Sequence, residues 1–395
     1  MLYIKYNKKL NDKKTTMKGT LNMKKELFNG KRLKIARIYR GKTIDQVSKE
    51  TNINKKDILA FEENKYKPTV ENALKLSNIL HFPRDYFYRN ENIKVNVEAA
   101  HFNPQSTIQR NEEISYREKL VMIHKLYLFF ENYIQFPELQ LPDNLNKNLS
   151  MEELAERCRQ FYELGEEPII NMVSFMEAVG VVITAMNINR RGASPYSQKQ
   201  SINGKEKYIV SLGHDKNSLA LRNYDLAYEF AFIISNELNI PAKRFNKDDF
   251  ASALLLPKNR LIEELSNPNE LESYLEVKSK FMVPLTIILY RAYSLGLINY
   301  KKYNYLMNEI SKNGWHKEEP LDNVKSTHPT CLRNAYKLLL DNNIVSKNTL
   351  MEKLYNENMI LYADDLEILM GLKEGSLSND KKDVKILSFN NKKRK

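Results

Sequence analysis

Lys55, Lys56, Asp57 and Ala60 lie in one short run with Ile58 and Phe61. On a helix starting at residue 55 the two apolar side chains turn inward, leaving the other four on its outward, N-terminal side. A lysine placed there can donate to guanine O6 and N7 in a major groove. Asn64, Lys65, Tyr66 and Lys67 follow, residue types that bond phosphate oxygens and fix register. A second group, Tyr228, Glu229 and Phe232 with Asn246 further on, has a different geometry. Positions 228 and 232 are i and i+4 on one helix face with a carboxylate beside them, a spacing that would hold a zinc ion if both carried imidazoles. Here they carry a phenol and a phenyl ring, which cannot, and Asn246 is a poor substitute for a carboxylate ligand.

The elements that must position the first group are short helices with tight punctuation. Leu33, Ile35, Ala36 and Ile38 form the apolar side of a helix ending at Gly41. Thr43 caps a second that carries Ile44, Val47 and Ser48, and Asn52 breaks it. Asn54 caps the third, Asn64 ends it, and Pro68 with Thr69 opens a fourth through Ala73, Leu74, Leu76 and Leu80. Two such helices joined by a tight turn lay the second in a major groove.

For the second group the spacing predicts helices over 219–236 and 248–256. Before them come a helix near 151–164, the β-rich run VGVVITAM, a polar loop with Arg190, Arg191, Gly192 and Ser201, and a short strand over 208–212. One long amphipathic helix, 115–134, connects the two groups.

The string from Gly30 to Phe87 resembles the Xre-type helix-turn-helix repressors. It matches at the Arg37 position, the Thr43 and Asn54 caps, Ser48, Ile53, Glu62 before Asn64 and Lys65, Pro68 and the Ala73–Leu80 helix. Ser48 and Asn52 stand where many relatives have Ala and Gly, and Ile44 replaces a frequent Gln and with it a phosphate contact. SLALRNYDLAYEFAFIIS is similar to the active-site helix of ImmA/IrrE-type zinc peptidases, with Arg222, Asp225, Leu226, Ala227 and Glu229 in place. FNKDDFASALLLP is similar to the helix that follows it. The family's ligand positions fall on Tyr228, Phe232 and Asn246, so the resemblance implies a peptidase-like domain without zinc or catalysis. Tyr228 and Phe232 would stack as an aromatic pair and fill the former cleft, which would then be closed or serve as a groove for a partner. Of the histidines, none is spaced i, i+4 from another, and only His214, just before the helix, is placed by sequence to approach the cleft. The stretch through Gly314, Trp315 and Glu319 resembles the continuation of long regulators that combine the two domains.

Net charge is +13 on 395 residues, and the excess sits at the ends. Thirteen Lys/Arg against Asp12 and Glu26 precede residue 41, and the chain closes on Lys392, Lys393, Arg394 and Lys395. A polyanionic partner fits this balance. There is no apolar run of bilayer length and no signal-peptide h-region, and Cys158 and Cys331 alone form neither a disulfide framework nor a cysteine zinc site.

The expected fold is mostly α and multidomain. It comprises a basic flexible arm (1–24), a helix-turn-helix bundle (25–90), a helical connector (91–145) and an α+β peptidase-like domain with a small sheet (146–265). A helical sensor or dimerisation region (266–375) and a basic tail (376–395) complete it.

The expected protein is a cytoplasmic, homodimeric regulator with a double-stranded operator and no cofactor. It would repress genes of a prophage or phage satellite until a protein or ligand binds its C-terminal half. The rival expectations are a peptidase with unorthodox ligands that cuts a partner repressor, and an antitoxin-like scaffold that regulates only its own operon.

Overall fold

A computed structural model describes residues 3–4, 27–90, 93–102, 110–185, 195–212 and 218–378. Most of the basic arm and basic tail, and His214, Arg190, Arg191 and Gly192, lie outside the described residues. In chain order the elements are β1 (Tyr3–Ile4), α1 (Gly30–Tyr39), α2 (Ile44–Thr51), α3 (Lys55–Glu62), α4 (Val70–Leu80), a 3-10 turn (Arg84–Tyr88) and β2 (Val95–Phe102). Then come α5 (Arg110–Phe130), β3 (Ile134–Gln135), α6 (Met151–Phe161), α7 (Met172–Ala178), β4 (Val182–Thr184), β5 (Tyr196–Ile202) and β6 (Lys205–Ser211). The rest is helical: α8 (Leu219–Glu237), α9 (Lys247–Leu255), α10 (Lys258–Glu264), α11 (Leu271–Phe281), α12 (Leu285–Ser294), α13 (Tyr300–Lys312), α14 (Cys331–Asp341), α15 (Lys347–Asn356) and α16 (Ala363–Met370).

The sheet divides the molecule. Its order is β2-β5-β6-β4, antiparallel except for the parallel β4–β6 pair, while β1 and β3 make a separate two-residue ladder. Successive strand residues face opposite sides, so Val182, Tyr196 and Ile209 join one core, and Ile183, Tyr208 and Val210 join another. The first core runs without a break from α1–α4 through α5 and one face of the sheet to α14–α16. The second holds α6 to α13 against the opposite face.

Four expectations need correcting. The connector is not wholly helical, because β2 belongs to the sheet of the body. Its apolar alternation is broken by a bulge between Val97 and Ala99, which hides the period-two signal of an edge strand. The polar stretch around Ser201 is strand β5, whose Ser197, Gln198 and Gln200 are fully buried and so lack the apolar pattern of a core strand. The 266–375 stretch is two units: α11–α13 pack on the body, α14–α16 on the helix-turn-helix side. The long helix begins at Arg110 and ends at Phe130, four residues short of the expected end.

Polar side chains stitch the two sides together. Glu177 of α7 accepts from the Thr330 and Cys331 amides at 2.9 Å each and so caps α14, while its burial pushes its own pKa up. Within the body side alone, Lys278 is fully buried and bonds Glu319 at 2.5 Å and Asp322 at 3.0 Å, which gives Glu319 of the Gly-Trp segment a structural role.

Candidate functional site

The DNA-reading geometry is assembled by local caps. Asn29 opens α1 by accepting from the Lys31 amide. Gly30 follows because the start of α1 presses on the end of α3: a β-carbon there would lie 1.9 Å from the Phe61 carbonyl oxygen. Thr43 and Gln46 form a capping box on α2, with bonds of 3.1 and 2.7 Å. Asn52 takes a left-handed φ of 57°, which asparagine tolerates, and makes the turn; Asn54 then accepts from the Lys56 amide to start α3. Val47, Ile58 and Phe61 are buried, as spacing required. Arg37 holds the far end of α3 through two bonds to Glu62, 2.6 and 3.0 Å, and a third to the Lys42 carbonyl.

Lys55 and Lys56 emerge exposed on the first turn of α3, and Asn64, Lys65 and Lys67 are exposed just beyond it. Lys55 pairs with Asp45 of α2 at 2.6 Å, but both are more than half exposed, so the pair contributes little and yields readily to a phosphate or base. Asp57 accepts from the Tyr66 hydroxyl at 2.5 Å and ties the following loop to the helix. Asn64 lends its side-chain oxygen to the Gly30 amide at 2.7 Å, so its role includes holding α1. Ala60 corrects the expectation: it is only 7% exposed and its carbonyl accepts from Lys65, while Leu59 takes the outward place at 42%. The helix is rotated so that 55, 56, 59 and 63 share the outward side.

This domain is clamped from behind. Arg40 donates to Asp365 of α16 and to the Leu80 and His81 carbonyls, His81 bonds Asp364 at 2.9 Å and meets the Tyr362 ring at a tilt, and Tyr355 of α15 donates to Asp85. Among the described residues His81, Asp364 and Asp365 form a cluster with metal-ligand spacing, but the Arg40 guanidinium already occupies Asp365.

On the other side of the sheet, the second group meets residues that spacing did not assign to it. Cross-strand neighbours His101 of β2 and Ser197 of β5 both face α8. Ser197 donates to Glu229, and the His101 Nδ1 lies 3.1 and 3.2 Å from the two Glu229 carboxylate oxygens. Glu229 is 1% exposed, so these contacts are its anchorage in an apolar surround. The His101 Nε2 lies 2.9 Å from the Lys247 ammonium. An ammonium only donates, so Nε2 accepts and Nδ1 carries the proton given to Glu229.

The His101 ring stacks on Phe232 at 4.8 Å and meets Tyr228 at 5.8 Å, so each aromatic meets the imidazole in place of the expected Tyr228–Phe232 stack. Lys247 lies 5.3 Å from the Tyr228 centroid and 5.8 Å from that of Phe232, and burial lowers its pKa. Asn246 accepts from the Asp248 and Asp249 amides as the N-cap of α9.

These donors do not fit a zinc ion. His101 supplies a single imidazole whose nitrogens face a carboxylate and an ammonium, Phe232 supplies none, and the Asn246 oxygen serves a helix end. Sequence spacing grouped His101 with the isolated histidines, because 128 residues separate it from Glu229; the only signal that could have found it is its place opposite Ser197 once β2 is recognised.

The bundle of capped helices with an exposed lysine turn defines a DNA-binding helix-turn-helix protein. Residues 30–93 match the family model of the helix-turn-helix domain, the part of the chain that resembles Xre-type repressors. No curated protein and no solved structure matches the chain. Among the described residues no helix is long and apolar enough to cross a membrane.

Proposed function

We propose that the chain is a sequence-specific transcriptional repressor of the cytoplasm. It binds a two-half-site operator as a homodimer and serves a prophage or phage-satellite type of mobile element. Its body is an inactive relative of the ImmA/IrrE peptidases, and binding of a protein or ligand to that body or to the C-terminal helices relieves repression. The observation that carries the reading is the exposed Lys55–Lys56 turn of α3, presented by capped α2 and α3. The dimer follows from the half-site that one such domain reads. The mobile-element setting rests on the resemblance. The inactive body is supported by Glu229, whose oxygens are taken by Ser197 and His101 beside a donor set unsuited to zinc.

Fluorescence anisotropy with DNA from the chain's own promoter region and with a scrambled duplex, over a salt series, tests it. Wild type binds its own DNA more tightly, and binding weakens steeply with salt. Lys55→Ala/Lys56→Ala loses the discrimination by about 1–3 kcal/mol per base contact. Equal affinity for both duplexes would overturn sequence-specific reading.

A further inference from the structure

Lys247 is the first residue of α9, half-buried, and its ammonium is held by an imidazole nitrogen and two ring faces. Each of these is a neutral partner. Its nearest carboxylates, Glu229 and Asp248, act on it through space and form no ion pair with it, and Glu229 is already committed to Ser197 and His101. A partly desolvated cation held only by neutral groups gains more from a carboxylate than an exposed lysine would. Tyr228 and Phe232 are likewise half-buried, each with its ring turned to this ammonium.

From this juxtaposition we infer that Lys247, His101, Tyr228 and Phe232 form a receptor for a monoanionic carboxylate carried beside an aromatic or aliphatic group. The inference deepens the regulatory reading above and rests on it for its biological role. The carboxylate pairs with the Lys247 ammonium, and the neighbouring apolar group packs against the half-buried rings of Tyr228 and Phe232. A dianionic phosphate is disfavoured, because a single ammonium faces it while Glu229 and Asp248 lie close behind.

Seating the ligand draws Lys247 away from His101 Nε2. His101 sits on β2, and β2 follows the helix-turn-helix domain after a short link, so the contact that breaks lies on the strand leading out of the DNA reader. Two sources carry this chemistry: a free aromatic acid, and the C-terminal residue of a partner protein.

Saturation-transfer NMR on the full chain distinguishes them with four probes: N-acetylphenylalanine, its amide, and a glycine-serine pentapeptide ending in phenylalanine as free acid and as amide. The expected result is transfer to the acids and at least roughly tenfold weaker binding of the amides, the size of one charge-assisted bond. Lys247→Met abolishes the difference and Lys247→Arg retains it, with circular dichroism confirming that each variant is folded.

A preference for the pentapeptide acid over the small acid identifies a chain terminus as the ligand, and the reverse identifies a metabolite. Equal binding of acids and amides, unchanged binding to Lys247→Met, or no transfer from any probe overturns the inference. Adding the tighter acid to the anisotropy assay separates the two readings. Binding that leaves operator affinity unchanged keeps the receptor and removes its regulatory role, whereas absence of operator recognition removes the DNA reading and leaves the receptor standing.

Discussion

Replacing Arg40 by Met tests whether the DNA reader and the last three helices are one folding unit. The guanidinium makes two bonds to Asp365 and single bonds of 2.8 Å to Leu80 and 2.7 Å to His81, and it lies 5.0 Å from the ring centroids of Tyr39 and Phe82. Methionine keeps part of the ring packing and removes every polar bond. Asp365, with a side chain 8% exposed, is then left as a buried carboxylate without its cation, which costs about 3 kcal/mol, the low end for breaking a buried pair.

Arg40→Met/Asp365→Leu removes both charges and returns to within about 1 kcal/mol of wild type, because neither partner is stranded. The double-mutant cycle on denaturant unfolding of the full chain therefore yields a coupling of about 2 kcal/mol or more. A loss below about 1 kcal/mol for Arg40→Met, or single effects that simply add in the double variant, would refute the argument that this pair locks the two ends together.

Three further outcomes follow from other contacts. Burial pushes His124 down to about 4 from 6.5, so across that window the unfolded chain binds the proton that the folded chain refuses; stability falls as pH drops from 6.5 to 4 by on the order of 3 kcal/mol, and in His124→Leu that acid limb flattens in pH-dependent melts. Gly30→Ala drives a β-carbon into the Phe61 carbonyl and lowers stability by about 1–3 kcal/mol or more by denaturant titration, whereas Gly204→Ala, with nothing near its β-carbon, costs only the strain of its positive φ. His101→Ala strands Glu229 with Ser197 alone and costs about 3 kcal/mol, an effect that Glu229→Gln in the same background largely relieves; if the second change gives no recovery, the carboxylate is not what His101 supports.

Legibility in the sequence tracked the range of the interactions. Thr43, Asn52 and Asn54 act within a turn of themselves, and their types alone announced the caps and the turn of the helix-turn-helix, which the structure reproduces. Ala60 was misplaced because one rotation of α3 decides between it and Leu59, and that rotation is set by Gly30 and Arg37 on another helix. The helix carrying Glu229 was read from its local string, but its partners were not. His101 and Ser197 come from strands whose apolar pattern is broken by a bulge and by buried Ser and Gln. The clamp of α14–α16 on the reader is less legible still, since nothing in Asp365 announces a partner 325 residues earlier.

That separation has a consequence for the order in which the protein is made. A ribosome delivers the four reader helices first, but Arg40 and His81 meet their partners only after residues 364 and 365 have emerged, and β2 waits about as long as it takes to make the next hundred residues before it can pair with β5. Until then the nascent chain carries an unfinished apolar flank on the side of the reader away from the lysine turn. Prematurely terminated chains are thus born with the lysines of the reader but without the contacts of Arg40 and His81 to the last helices, a state with more apolar surface open to proteolysis.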